Sequence, residues 1–233
     1  MSKDFYDHKW ANRSPALNFY EKHRADEIIG LIRKYGLKTD RILDLGCGNG
    51  WLSGMLARFG RVTGVDFSET AIEKARKNFP DCEFIAGDIL EYSAKNKYDL
   101  LVCSEVIEHL KPEGQKQLVR VMNDNLEHGG HIINTSPNRA LKERILPLIK
   151  KPQPIENWLS ADELKTLLSS HFLIKECLSI VHWDESARRF GPVNKLRSLI
   201  CDRPRLKNLV ESSLKAFGKE GLYLLFLCSK KYE

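Results

Sequence analysis

The sequence predicts an α/β fold in which one mostly parallel sheet carries helices on both faces. Short apolar runs alternate with amphipathic segments from about residue 41 to residue 135, and such alternation is typical of a parallel sheet covered on both sides. The first apolar run ends in D-x-G-x-G-x-G at residues 44–50, and an acid, Asp66, ends the next run. A glycine turn followed by an acid about twenty residues later is typical of a nucleotide-binding βαβ unit.

The predicted elements follow one another in a regular order. A helix is expected over residues 15–36, because Pro15 favours its first turn and Gly36 its end. Strands and helices then alternate over residues 41–46, 51–59, 61–66, 69–78, 82–87, 89–95, 98–104, 112–127 and 130–135. The S-x-x-E sequence at residues 160–163 predicts a capping box and a helix that runs to about residue 170. Residues 171–181 and 221–229 are predicted as two late strands.

The glycine loop has the properties of a cofactor-binding turn. Glycine adopts positive φ angles without strain and lets the main chain approach a ligand closely. Asp66 lies at the separation at which a carboxylate accepts both ribose hydroxyls. The spacing G-x-G-x-G differs from the dinucleotide spacing G-x-G-x-x-G, and Asp44 before the first glycine suits a cationic ligand better than a phosphate. The loop resembles motif I of the class I S-adenosylmethionine-dependent methyltransferases.

This resemblance covers most of residues 20–180. It implies a Rossmann-like sheet of seven strands in which the last strand is antiparallel, and it implies S-adenosyl-L-methionine as the cofactor. It also implies that the acid after the second strand binds the ribose and that the acid after the third strand meets the adenine amine. The cofactor-binding residues expected on this basis are Asp44, Gly46, Cys47, Gly48, Gly50, Asp66, Phe67, Ser68, Asp88, Ile89, Ser104 and Glu105.

The fourth strand runs into E-x-x-E-H at Glu105, Glu108 and His109, and this run is expected to line the methyl-transfer site. Open α/β sheets bind ligands beyond the carboxyl ends of their strands. If the chain turns helical after Glu105, the three side chains share one face. We predict that His109, whose intrinsic pKa is near neutral, removes a proton from an acceptor hydroxyl while Glu108 or Glu105 orients it. An amine acceptor needs no strong base, so catalysis would then be chiefly positioning.

The same three side chains permit a second hypothesis, in which they bind a divalent cation. The run resembles the metal motif of the small-RNA 3′-terminal 2′-O-methyltransferases, whose fourth ligand is a histidine from a later loop. The corresponding residues 137–158 contain no histidine. We therefore predict no metal and keep RNA 2′-O-methylation as an alternative. A cofactor-binding partner subunit that has lost catalysis is a further alternative, which the intact acidic positions do not favour.

Three segments are candidates for contact with the cofactor or the acceptor. Residues 1–14 carry Phe5 and are predicted to fold over the cofactor as a lid. Residues 139–156 form a basic, proline-interrupted candidate substrate loop, and residues 182–220 have the apolar spacing of a helical cap between strands six and seven. His23 or Arg24 is a candidate for the cofactor's carboxylate. The candidate substrate residues are Tyr6, Trp10, Arg139, Arg144 and Trp158.

Composition and charge fit a single methyltransferase domain over residues 1–233. No run approaches the roughly 18 to 20 apolar residues that span a bilayer, and the N-terminus lacks an apolar signal core, so we expect a cytoplasmic protein with reduced cysteines. Residues 182–233 contribute +5 of the net charge of +6. We therefore expect a polar or anionic small-molecule acceptor, such as a sugar, a nucleotide-linked sugar, a quinone-type or a lipid-linked metabolite, methylated on oxygen more readily than on nitrogen.

Overall fold

One sheet of seven strands organises the computed structural model, which describes residues 3–13, 17–141, 153–182 and 221–231. Its strands are β1 (Arg41–Leu45), β2 (Arg61–Asp66), β3 (Glu83–Ala86), β4 (Tyr98–Ser104), β5 (Leu126–Pro137), β6 (Phe172–His182) and β7 (Gly221–Lys230). They lie in the order β3-β2-β1-β4-β5-β7-β6. Neighbours among β1 to β5 pair in parallel, and β7 is antiparallel to both β5 and β6. The Rossmann-like sheet with an antiparallel last strand is confirmed.

Helices cover both faces of this sheet. They are α1 (Lys3–Ala11), α2 (Phe19–Tyr35), α3 (Trp51–Leu56), α4 (Glu69–Asn78), α5 (Pro112–Asn125) and α6 (Ala161–Leu168), with 3-10 turns at Ile107–His109 and Arg139–Leu141. The core forms two clusters because successive strand side chains point to opposite faces. Ile42 packs with Ile28 of α2 in the first cluster, whereas Leu43 packs with Leu118 of α5 in the second.

Helix α2 begins at Phe19 rather than at the predicted residue 15. Asn18 and Glu21 form a capping box, in which the Asn18 side chain accepts from the Glu21 N–H and the Glu21 side chain accepts from the Asn18 N–H, each at 3.0 Å. These two hydrogen bonds satisfy main-chain donors that a helix start leaves open. Pro15 lies outside the described residues. Gly36 ends the helix as predicted, with a φ of 55°.

Residues 89–95 form turns, so the predicted helix there is wrong. The Asp88 side chain accepts a hydrogen bond from the Leu90 N–H at 2.9 Å, which closes a turn at the start of the segment. Asn125 of α5 then holds the chain, since it accepts from the Ala94 N–H at 2.7 Å and donates to the Tyr92 carbonyl at 3.1 Å. Side-chain hydrogen bonds therefore replace the main-chain ladder of a helix.

Smaller differences concern element ends. The helices predicted to reach residues 59 and 127 end at Leu56 and Asn125, and β5 extends from Leu126 to Pro137 instead of 130–135. The capping box that begins α6 is confirmed, with Ser160 as its cap. Residues 142–152 of the candidate substrate loop and residues 183–220 of the predicted cap lie outside the described residues.

The structure bears on the expectations about the cysteines and about membrane-spanning helices. The described ranges contain five cysteines, all of them free thiols, and Cys201 lies outside these ranges. In the same ranges, the helices are too short or too polar for any of them to cross a bilayer.

Candidate functional site

A cavity of about 470 Å³ opens at the carboxyl ends of β1 and β4. This is the edge at which open α/β sheets bind their ligands, and the volume is in the range of small-molecule pockets. Walls come from the glycine loop after β1, the E-x-x-E-H run after β4, both N-terminal helices, residues 153–158 and β7. The predicted residues that line it are Trp10, Arg24, Asp44, Gly46, Cys47, Ser104, Glu105, Glu108, His109 and Trp158.

The glycine loop is a turn that side chains would block. Gly46 and Gly48 have φ angles of 76° and 54°, which lie in the left-handed region that glycine adopts at least cost. A Cβ on Gly46 would lie 2.3 Å from Val106, and a Cβ on Gly48 would lie 2.4 Å from the Trp10 ring. Main-chain atoms of this loop therefore lie directly against the side chains around the cavity.

The Asp66 carboxylate joins the glycine loop to the end of β2. One oxygen accepts from the Gly48 N–H at 2.9 Å, and the other accepts from the Ser68 N–H at 3.0 Å. Burial raises the pKa of Asp66, and these two main-chain donors oppose that rise. The carboxylate thus holds two of the predicted cofactor segments in one arrangement.

Asp44 lies beneath the same loop as a buried acid. The Ser53 hydroxyl donates to its Oδ2 at 2.6 Å. Burial raises the pKa of Asp44 to about 7, because a carboxylate removed from water favours its neutral form. A positive charge in the cavity would favour the ionised form again.

The E-x-x-E-H run does not continue as an α-helix, so the condition under which its three polar side chains would share one helix face is not met. Glu105 has a φ of 61°, and only Ile107–His109 turns, as a 3-10 helix. Thr135 of β5 fixes Glu105: its carbonyl accepts from the Glu105 N–H at 3.1 Å, and its hydroxyl donates to Glu105 Oε1 at 3.1 Å. Both bonds hold Glu105 against the sheet.

Glu105 faces a buried arginine across the cavity. Arg24 Nη1 lies 3.9 Å from Glu105 Oε2, and the guanidinium stacks over the Tyr223 ring at 4.6 Å. Burial raises the pKa of Glu105, and the charge of Arg24 opposes that rise. The buried Arg24 Nε has no hydrogen-bond partner among the described residues. This arginine can therefore donate hydrogen bonds to a carboxylate ligand.

Glu108 and His109 form the inner end of the cavity. Glu108 is 1% exposed, and its Oε1 lies 3.6 Å from His109 Nε2. Burial, and then the charge of Glu105, raise the pKa of Glu108 well above its usual range. Burial lowers the pKa of His109, so its imidazole is neutral near pH 7. A neutral imidazole beside a cavity has the protonation state that a general base requires.

The chain resembles known methyltransferases in sequence. A family model described as "Methyltransferase domain" matches residues 42–130. The mitochondrial ubiquinone biosynthesis O-methyltransferase of Schizosaccharomyces pombe is 28% identical over 72% of this chain and 67% of its own length. The corresponding protein of Idiomarina loihiensis is 30% identical over 58% of this chain and 59% of its own length. This chain therefore spans about three fifths to two thirds of these two relatives.

Solved structures share the fold. The N-methyltransferase NodS of Bradyrhizobium japonicum, solved with S-adenosyl-l-homocysteine, superposes with a TM-score of 0.71 at 19% identity, over 99% of this chain and 98% of that chain. The magnesium protoporphyrin IX methyltransferase of Synechocystis superposes with a TM-score of 0.65 at 17% identity, over 99% and 95% of the two chains. The sequence matches and the shared fold indicate an S-adenosylmethionine-dependent methyltransferase, and the fold is that of the class I enzymes.

Helix α1 of this methyltransferase lies over the predicted cofactor segments. The Tyr6 ring packs edge-on against Phe67 at 5.1 Å and against His109 at 6.1 Å. Asp7 accepts a hydrogen bond from the Ser68 hydroxyl, and the Trp10 ring covers Gly48. The helix thus contacts the glycine loop, the end of β2 and the E-x-x-E-H run at once.

Other predicted residues lie away from the cavity or outside the described residues. Asp88 is exposed and Ile89 buried at the end of β3, and neither lines the cavity. Arg139 forms an ion pair with Glu163 of α6 at 2.7 Å. His23 is buried in α2 beside Glu27, while Arg144 lies outside the described residues.

Several residues that line the cavity were not predicted from the sequence, among them Lys9, Gln153, Glu156 and Tyr223. Gln153 and Glu156 lie inside the predicted substrate loop, of which only the basic residues Arg139 and Arg144 were predicted to contact the substrate. One signal for Glu156 is Trp158 two positions later, since the Trp158 indole N–H donates to Glu156 Oε2 at 2.5 Å. No motif marks Lys9 or Tyr223, which reach the cavity only through the fold.

The metal hypothesis gains no geometric support in the part of the chain that the structure describes. No three His, Cys, Asp or Glu side chains converge there in a group that could hold a metal ion. In particular, the His109 imidazole is hydrogen bonded at both of its nitrogens.

Proposed function

We propose that this methyltransferase transfers a methyl group from S-adenosyl-L-methionine to an oxygen of a small molecule, and that the oxygen is a ring hydroxyl of a quinone-type precursor. The observation that carries the proposal is the position of the His109 imidazole at the cavity wall, where burial lowers its pKa. Hydroxyl acceptors gain from such a base, whereas neutral amines do not need one. The relatives named for ubiquinone biosynthesis favour the quinone-type acceptor over the sugars.

The residues around the cavity fit the cofactor. We assign the ribose to Asp66, the carboxylate of the methionine portion to Arg24, and close main-chain contact to Gly46 and Gly48, whose positions tolerate no Cβ. When bound, the cofactor supplies a methyl group on a positively charged sulfur. The buried carboxyls around the cavity favour a positive charge there, because opposite charges stabilise each other strongly away from water. Those carboxyls belong to Asp44, Glu105 and Glu108.

In this proposal the side chain of His109 acts on the acceptor. Nε2 takes the proton of the acceptor hydroxyl, and the ring becomes an imidazolium. Glu108 Oε1 lies 3.6 Å from Nε2, and the charge of the imidazolium would oppose the burial that raises the pKa of Glu108. Glu105 acts differently, since Thr135 and Arg24 already hold its carboxylate. It shapes the cavity wall and compensates the charge of the arginine.

The charges of the cavity favour a hydroxyl over a phosphate at the reacting end of the acceptor. Arg13 pairs with Glu21, Arg24 faces Glu105, and the Lys9 ammonium donates to the Gln153 amide. Lys9 and Arg13 therefore already have partners among the described residues, and Arg24 is assigned to the carboxylate of the cofactor rather than to the acceptor. An anionic portion of the acceptor, expected from the charge of residues 182–220, would have to lie elsewhere.

We also propose roles for the segments that flank the cavity. Helix α1 acts as a lid, because its contacts span all three loops that the cofactor would touch. Residues 139–156 contribute to the acceptor side, since Gln153 and Glu156 line the cavity. We keep a single methyltransferase domain over residues 1–233 as part of this proposal; residues 183–220 of the expected cap lie outside the described residues.

A methyl-transfer assay with labelled S-adenosyl-L-methionine tests the proposed acceptor class. The panel contains dihydroxybenzenes, a sugar phosphate, a primary aromatic amine and a short RNA with a free 3′ end. We expect label in the dihydroxybenzenes, and we expect His109→Gln to lower that rate by about a hundredfold. Label in the RNA or the sugar phosphate alone would contradict the proposal.

A further inference from the structure

Residues 153–157 bind the E-x-x-E-H run through several hydrogen bonds. The Ile155 carbonyl lies 3.1 Å from His109 Nδ1, and the Gln153 Nε2 lies 2.9 Å from His109 Nε2. The Asn157 main-chain N–H donates to the Glu108 carbonyl at 2.8 Å, and its side chain donates to the Leu110 carbonyl at 3.3 Å. This segment therefore fixes the position of the His109 ring from both sides.

The chemistry of these partners determines where the His109 proton lies. A carbonyl only accepts hydrogen bonds, so the nitrogen that faces Ile155, Nδ1, carries the proton. In a neutral ring Nε2 then has a lone pair, and the Gln153 amide NH₂ donates to it. A neutral imidazole accepts at one nitrogen and donates at the other, and both requirements are met.

Lys9 fixes the orientation of the Gln153 amide. Its ammonium, which only donates, lies 3.0 Å from Gln153 Oε1. A rotated amide would place NH₂ against the ammonium and its oxygen against the lone pair of His109, and both contacts would be repulsive. The three side chains therefore form a chain with one consistent direction, from Lys9 of the N-terminal helix to His109 Nε2.

We propose that Gln153 is a positioning residue, whose amide donates to Nε2 and so holds His109 in the Nδ1-protonated form with the Nε2 lone pair on the cavity side of the ring. Its amide occupies the place at Nε2 that an acceptor hydroxyl takes when it enters. The hydroxyl donates to the same lone pair and afterwards gives its proton to it. This inference rests on the proposed function of His109, and it assigns to helix α1 a role in orienting the base through Lys9.

Several other groups face the His109 ring. The Tyr6 ring of α1 packs against it at 6.1 Å, Glu108 lies beside Nε2, and the charges of Lys9 and Glu156 act on the imidazole. Tyr6 contacts the imidazole through its ring edge, and Glu108 at 3.6 Å from Nε2 is beyond the distance of a good hydrogen bond. Among the described residues, Gln153 is thus the nearest hydrogen-bonding partner of Nε2.

The test uses ¹⁵N NMR of the imidazole nitrogens in the full chain at pH 7, with His109 assigned from the spectrum of His109→Gln. Gln153→Glu is nearly isosteric and turns the donor into a carboxylate, which only accepts. Gln153→Met removes the donor and keeps the volume. Gln117→Met is the matched control, because Gln117 is an exposed glutamine of α5 whose amide contacts the Leu90 carbonyl at 3.4 Å.

We expect wild type and Gln117→Met to show one protonated and one unprotonated His109 nitrogen. Gln153→Glu should show both nitrogens protonated, and Gln153→Met should keep one protonated nitrogen while the Nε2 resonance shifts. With a dihydroxybenzene, kcat of Gln153→Glu should fall about a hundredfold while the cofactor Kd stays within about twofold. A His109 spectrum that Gln153→Glu and Gln153→Met leave unchanged would overturn the proposal.

The spectra separate this inference from the proposed function. They are recorded without an acceptor, so the expected changes support the role of Gln153 even if no dihydroxybenzene is methylated. Conversely, if the enzyme methylates a dihydroxybenzene but the His109 spectrum is the same in the Gln153 variants, the proposed function stands and the role of Gln153 is refuted.

Discussion

The Asp66 carboxylate accepts a hydrogen bond from the Gly48 main-chain N–H at 2.9 Å, and this bond connects the end of β2 to the glycine loop after β1. The two residues are 18 positions apart, yet they meet because β1 and β2 are parallel neighbours whose carboxyl ends share one edge. The bond keeps the loop in shape before any cofactor arrives. Asp66 therefore combines a structural role with its proposed binding role.

Asp66→Ala tests the proposed role of Asp66 in binding the cofactor. The variant loses the proposed hydrogen bonds from the ribose hydroxyls to the Asp66 carboxylate, each worth roughly 1.5 to 3 kcal/mol, so we expect cofactor affinity to fall by at least about tenfold. Isothermal titration calorimetry with S-adenosyl-L-methionine measures the change. Asp124→Ala, at an exposed acid of α5, is the control and should leave the affinity unchanged. An unaltered Kd in Asp66→Ala would refute the assignment of Asp66.

Gly48→Ala and Gly36→Ala form a matched pair. Their φ angles are 54° and 55°, so a Cβ costs roughly 1 to 2 kcal/mol of backbone strain at either position. Only at Gly48 does the added Cβ meet another group, the Trp10 ring at 2.4 Å, whereas nothing lies within 4 Å at Gly36. We expect both variants to lose stability but only Gly48→Ala to lose cofactor affinity. Equal cofactor Kd values in the two variants would argue against contact at Gly48.

Asp44→Asn should change how stability depends on pH. The pKa of Asp44 is about 7 in the folded chain and 3.8 in the unfolded chain, so the folded state binds an extra proton between these values. The stability contributed by Asp44 is complete below pH 4 and is lost as pH rises to 7.

Urea unfolding across pH measures this effect. The unfolding free energy of wild type relative to Asp44→Asn should fall by about 1.4 kcal/mol per pH unit between pH 5 and 6.5, and level off above pH 8. A difference that stays constant with pH would mean that Asp44 is ionised throughout.

Removal of divalent metal should leave methyl transfer unchanged. The described residues contain no group of three metal-ligating side chains, and both ring nitrogens of His109 are engaged by residues 153–155. The measurement compares rates in a chelator with rates after addition of manganese or magnesium. Activity that disappears in chelator and returns with metal would favour the RNA-methyltransferase alternative instead.

The sequence predicts most of the fold because the decisive signals are local. Apolar runs, the glycine turn and the capping box at Ser160 each act within a few residues of where they stand in the chain. Residues 89–95 do not form the predicted helix because Asn125, some thirty residues later, binds that segment through its side chain. Periodicity contains no information about such a partner.

Part of the candidate site was also predictable from the sequence. Parallel topology brings strand ends together, so Asp44, Asp66 and Glu105 could be placed from their positions at the ends of strands. Glu105 departs from the expected helix because Thr135 of a neighbouring strand holds it. Gln153 reaches His109 across 44 positions, and only the folded chain reveals that contact.

The atom that receives the methyl group tests the central claim most directly. Wild-type enzyme is incubated with ¹³C-methyl-labelled S-adenosyl-L-methionine and a dihydroxybenzene, and the ¹³C NMR spectrum of the product is recorded. The account predicts one new methoxy carbon on the ring, formed at a rate that depends on His109. Label on nitrogen or on ring carbon, or no transfer to any hydroxyl of the panel, would contradict it.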